Sequence, residues 1–169
     1  MAFADDLLRQ AYQLANKESK KPTQASLRRA VSSGYYALFH LLVEDAVKKW
    51  ELQHQRPALA RTFEHRTMKS VCDEVIKSIY KAGSPPTDEK LKIVAKTFVY
   101  LQHNRHSADY DIGLEWRRAD VLTLLDLVKK AFSDWRDIRD QRPAQDFLLQ
   151  LLMPRIFKSR DRESPPAKP

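Results

Sequence analysis

Cysteine is almost missing from this 169-residue chain: Cys72 stands alone. That excludes an intrachain disulfide framework and any zinc site built on several thiolates. Glycine is nearly as scarce, with three in the chain against about 7% in an average protein. They stand apart, at Gly34, Gly83 and Gly113. A loop that cradles phosphate needs glycines within a few residues of one another, so dinucleotide and P-loop folds are excluded. No run of about 18 apolar residues exists, which removes a transmembrane helix. Alternation of β-branched with polar residues is missing as well, which argues against a sheet. The opening Met1-Ala2-Phe3-Ala4-Asp5-Asp6 lacks the basic patch and apolar block of a signal peptide, and a cytoplasmic setting is expected.

What is present is a well-mixed chain, 43% hydrophobic and 31% charged. That composition suffices for a sizeable core, and the length favours one domain. Lys and Arg total 30 against 22 acidic residues, a formal charge of +8. A basic balance favours a polyanionic partner.

Apolar residues recur at helical spacing throughout, which predicts an all-α chain. A first helix is expected over residues 2–18, with Phe3, Leu7, Ala11, Leu14 and Ala15 on one stripe. Lys20-Lys21-Pro22 interrupts it, and Thr23 is a natural N-cap for a second helix over 24–53. This second helix is apolar on more than one face, so it is expected at the centre. A third helix follows the break at Gln55-Arg56-Pro57 and runs to residue 81, built on Met68, Val71, Cys72, Val75, Ile76 and Ile79. Gly83 and Ser84-Pro85-Pro86 stop it. Thr87 caps a fourth helix over 88–103, the polar stretch 104–115 breaks the pattern, and a fifth helix spans 116–139. A short sixth helix is expected over 143–153. The architecture is therefore a bundle of five to six helices over 1–139, a helical extension over 140–157, and a disordered, basic, Pro-rich tail over 158–169.

Three polar clusters interrupt this regularity. Arg29, Ser33, Tyr36 and His40 are four, three and four positions apart, so they line one side of the second helix. Such a row can hold a phosphate and position a proton donor. Equally, Tyr36 and His40 can be hydrogen-bonded at a helix contact while Arg29 and Ser33 face water. The stretch from His103 through Arg105, His106, Asp109 and Tyr110 to Asp111 is dense in imidazoles, carboxylates and a guanidinium. Either it acts from a loop, or Asp109 or Asp111 caps the next helix and pairs with Arg105. Arg61, His65, Arg66 and Lys69 share one helical face that can follow a nucleic-acid backbone or stay solvated. His103, His106 and Asp109 have metal-ligand chemistry, but no His-Glu-x-x-His pattern exists, and neither metal nor cofactor is expected. Cys72 falls on an apolar stripe and reads as core.

Arg28-Arg29-Ala30-Val31-Ser32-Ser33-Gly34-Tyr35-Tyr36-Ala37-Leu38-Phe39-His40 resembles the A-x-S-R-A-Y-Y-A-x-F helix of HEPN domains. Arg105-His106-Ser107-Ala108-Asp109-Tyr110-Asp111 is similar to their R-x-x-A-D-Y-D segment, and Phe63-Glu64-His65-Arg66 falls in order at their H-K/R-G position. The resemblance covers residues 2–138. It implies an antiparallel helical bundle, a homodimer with a groove where two copies meet, and association with RNA or nucleotides. Members of the family include ribonuclease toxins, effectors of phage defence and partners of minimal nucleotidyltransferases. The ribonuclease branch cuts RNA without metal, using an Arg and a His separated by four to six residues. The Arg holds the scissile phosphate while the His moves a proton. This chain lacks that spacing: none of its five histidines has an Arg five to seven positions before it. Gly34 is a second departure, standing where the family often carries Arg.

By this resemblance Arg29, Tyr36, Arg66, Arg105, Asp109 and Tyr110 are the expected RNA- or nucleotide-binding residues. Arg105, His106, His40 and His65 are the candidates for any metal-independent ribonuclease chemistry. A toxin–antitoxin or phage-defence system is the implied setting. The other reading is a non-catalytic helical module that pairs with a nucleotidyltransferase or another neighbour-encoded protein.

Overall fold

A computed structural model describes residues 2–78 and 86–153, and every regular element among them is helical. The helices are α1 (Ala2–Ala15), α2 (Gln24–Lys48), α3 (Arg56–Ala60), α4 (His65–Ser78), α5 (Pro86–Tyr110), α6 (Arg118–Ile138) and α7 (Arg142–Leu152). They form a helical bundle with α2 at its centre, packed against α1, α5 and α6. The sequence explains that place: Leu27, Val31, Tyr35, Leu38, Leu41 and Leu42 point to several sides and are all fully buried. The Thr23 hydroxyl starts the helix by accepting from the Ser26 amide at 3.2 Å. Gly34 sits where α2 meets α6, since a Cβ there would lie 2.8 Å from Leu125 Cδ2. Its missing side chain lets the two helices approach closely.

Among the described residues the bundle has seven α-helices where five to six were expected. The expected third helix is divided, because the chain turns over Arg61–Glu64 between the short α3 and α4. Phe63 is buried in that turn and anchors it. The larger difference lies in α5, which continues to Tyr110 through residues expected to form a loop. Their polarity does not break the helix. Leu101 and Ala108 keep an apolar face buried, while Arg105 and Asp109 pair at i, i+4. The break comes one turn later, where Asp111 Oδ1 accepts from the Gly113 amide at 3.1 Å.

α7 shares the same core: Ala144, Phe147, Leu148 and Leu151 are buried, and Phe147 packs 6.0 Å from Trp135 between ring centroids. Ile79, Gly83, the Ser84-Pro85 stop and the expected tail lie outside the described residues.

Polar residues also cross the core. Asp45 of α2 is buried, accepting from Trp135 Nε1 of α6 at 2.7 Å and pairing with Lys48 Nζ at 2.6 Å. Arg139 Nη1 approaches the same carboxylate at 3.8 Å. α2 and α6 are thus joined by a directional contact as well as by apolar packing.

Candidate functional site

The first turns of α2 and the last turns of α5 lie side by side, and their hydrogen bonds define a site. Asp109 Oδ1 accepts from the buried Ser32 hydroxyl at 2.7 Å, and Oδ2 stands 2.9 Å from Arg105 Nε. The latter is a close charge pair without the alignment of an N–H···O bond. Arg105 donates through Nη2 to the Tyr36 hydroxyl at 3.2 Å, and its guanidinium lies 5.5 Å from the centre of that ring. Ser32 therefore orients Asp109, and Asp109 and Tyr36 together hold Arg105.

Arg28 fixes the chain that leaves α5. It donates to the carbonyls of Ala108 at 2.8 Å, Leu114 at 2.6 Å and Ile112 at 3.4 Å, placing a cation at the negative end of that helix. Gln24 completes the clamp, donating to the Trp116 carbonyl at 2.9 Å and accepting from the Trp116 amide at 3.0 Å.

Between these groups opens a cleft of about 450 Å³, lined by Arg28, Arg29, Ser32, Tyr36, Arg105, Asp109 and Tyr110 with Ala25 and Ala108. That volume falls within the usual range for small-ligand sites. Arg29 is exposed at its mouth, and Tyr110 is 65% exposed. Five residues expected to bind RNA or nucleotide, namely Arg29, Tyr36, Arg105, Asp109 and Tyr110, thus meet in one place. Arg66 does not join them: it is exposed on the first turn of α4. Arg61 lies in the turn before α4, so the expected single basic face of Arg61, His65, Arg66 and Lys69 is divided. Lys69 pairs with Asp73 at 2.6 Å.

The histidines fall elsewhere. His65 accepts or donates at Nδ1 to the Tyr35 hydroxyl at 2.6 Å, and its backbone carbonyl accepts from Gln102 Nε2 at 2.9 Å. Burial raises the Tyr35 pKa, so the phenol keeps its proton and can donate it to Nδ1. The neutral ring then carries its own proton on Nε2. His40 packs edge-on against Phe3 at 4.9 Å and Phe39 at 5.3 Å. His106 is exposed and lies 4.9 Å from the Tyr110 ring. None of the three lines the cleft. Cys72 is buried, and burial raises its thiol pKa.

Burial lowers the pKa of His65, with the Arg105 charge adding to the effect, and burial followed by the His65 charge lowers that of His40. Below their ordinary value of 6.5, the unfolded chain therefore binds protons that the folded chain resists. Stability is full above that value and falls as the pH drops through it. The urea unfolding midpoint is expected to fall between about pH 7.5 and about pH 5.5, and to fall less in His40→Phe. An equal fall in both proteins would place the titration elsewhere.

A larger cleft of about 710 Å³ lies between α1 and α6. Arg136 and Asp5 in its lining pair at 2.6 Å, and Asp137 pairs with Lys90 of α5, outside the lining, at 2.7 Å. Among the described residues no group of His, Cys, Asp and Glu is arranged to hold a metal ion, and no helix is long and apolar enough to cross a membrane. Comparison with models of known families, with characterised proteins and with solved structures finds no match.

Proposed function

We propose that this chain is a HEPN-like protein that binds RNA or a nucleotide at the α2–α5 cleft, which forms part of a groove completed by a second copy. The observation that carries the reading is the convergence of Arg29, Tyr36, Arg105, Asp109 and Tyr110 on one open cleft. Arg29 and Arg105 supply charge for phosphate, and the exposed Tyr110 ring offers a face on which a base can stack. The chain's charge of +8 favours encounter with a polyanion. Exposed Ile112 and Leu114, just past the cleft, supply an apolar edge for the second copy.

Purified protein, in the presence of chelator, is expected to retard single-stranded RNA in a mobility-shift gel, with the shift weakening steeply as salt rises. Retention of the shift at high salt, or no shift at all, contradicts the reading. Cleavage in the same lanes adds metal-independent ribonuclease chemistry, with Arg105, His106, His40 and His65 as the residues to substitute. The second reading, a non-catalytic module for a nucleotidyltransferase or other protein, draws on the same apolar edge and on the Arg105–Asp109 pair being satisfied within the chain.

A further inference from the structure

Arg105 already faces an anion. Asp109 stands 2.9 Å from its Nε, both residues line the cleft, and the Ser32 hydroxyl holds that carboxylate in place at 2.7 Å. A phosphate approaching Arg105 therefore meets a competing carboxylate on the next turn of the same helix. We propose that Asp109 acts as an intramolecular stand-in for phosphate, so that the cleft selects a nucleic-acid strand over a mononucleotide or free phosphate. The proposal rests on the reading of the cleft as an RNA site and names the ligand class it takes.

The physical reason is effective concentration. A tethered carboxylate competes as though present at millimolar levels or more, on the order of that set by short linkers. A lone phosphate at lower concentration does not displace it. A strand held first at Arg29 and stacked on Tyr110 presents its neighbouring phosphate at a comparable effective concentration, and so exchanges with Asp109. Arg29 suits this first contact because it is exposed and no acceptor is seen bonded to it among the described residues. Ser32 is a positioning residue in this scheme: it acts only through the carboxylate it orients.

The test is competition binding of a labelled single-stranded RNA oligomer to the full chain, with inorganic phosphate and adenosine monophosphate as competitors. Wild-type protein is expected to bind the oligomer and to ignore both small anions. Asp109→Asn keeps an acceptor for Ser32 but removes the charge. It is expected to bind the oligomer about tenfold more tightly, to steepen the dependence of log affinity on log salt by about one unit, and to become sensitive to adenosine monophosphate. Ser32→Ala, which frees the carboxylate to swing away, is expected to gain about threefold.

Unchanged or weaker oligomer binding by folded Asp109→Asn overturns the proposal while leaving the RNA reading standing. Wild-type protein that releases the oligomer to adenosine monophosphate overturns the selectivity. If Asp109→Asn does not fold, Ser32→Ala decides, and no gain there overturns the proposal. Folded wild-type protein and variants that all ignore the oligomer sink the RNA reading itself.

Discussion

Asp45→Ala is expected to destabilise the bundle by about 3 kcal/mol, a large effect for a single polar substitution. The substitution removes the acceptor of Trp135 Nε1, a donor on a fully buried side chain. An orphaned buried donor alone costs about 1–3 kcal/mol. Lys48 and Arg139 lose their shared carboxylate as well, but both reach solvent and contribute less. Asp45→Asn keeps an acceptor for the indole and is expected to cost about 1 kcal/mol. For a chain of this size, the alanine variant should melt roughly 9 °C lower. Thermal and urea unfolding followed by circular dichroism measure both. An alanine variant within about 0.5 kcal/mol of wild type shows that the α2–α6 contact is apolar packing alone.

Arg105→Ala is expected to weaken RNA binding at least tenfold, about the worth of one charge-assisted contact. Two effects act together. The guanidinium is lost from the cleft, and Asp109, which it neutralises at 2.9 Å, is left facing the incoming phosphates. Arg29→Ala removes charge without exposing a carboxylate and is expected to cost less, about threefold. Both variants are expected to fold: Arg29 is exposed, and Arg105, though largely buried, makes its contacts to Tyr36 and Asp109 on the wall of the cleft. Fluorescence anisotropy with a labelled RNA oligomer at fixed salt gives the affinities, with circular dichroism as the control for folding. Wild-type affinity in Arg105→Ala removes the cleft from the account, and unfolding in that variant makes Arg105 a structural residue.

Much of this geometry is legible in the residues. The all-helical fold follows from 3.6-residue spacing and scarce glycine, and α2 belongs at the centre because its apolar side chains point several ways. The stripe of Arg29, Ser33, Tyr36 and His40 and the segment from His103 to Asp111 both stand out as polar clusters, and they meet in part: Arg29 and Tyr36 line the cleft with Arg105, Asp109 and Tyr110, while Ser33 and His40 do not. Two features are not legible. Residues 104–110 read as a loop because polarity is a poor guide to helix ends when i, i+4 charge pairs occupy the solvated face. Arg28 and Ser32 are hidden beside the more prominent Arg29 and Ser33, although Gln24, Arg28 and Ser32 stand at i, i+4 and i+8. That second polar stripe sits against α5 and the segment following it, where Ala108, Asp109, Ile112, Leu114 and Trp116 supply its partners. A spacing pattern places such residues on one helix face, but their partners, some 77 to 92 residues away, become visible only with tertiary structure. The placement of His65 against Tyr35 belongs to the same class, joining residues 30 apart.

Backbone amide chemical shifts, followed by NMR as a single-stranded RNA oligomer is added, test the location of binding most directly. The account predicts perturbations concentrated on residues 25–36 and 105–114, lost in Arg105→Ala and reversed by added salt. Perturbations along the α1–α6 groove instead, or none at saturating RNA, contradict it.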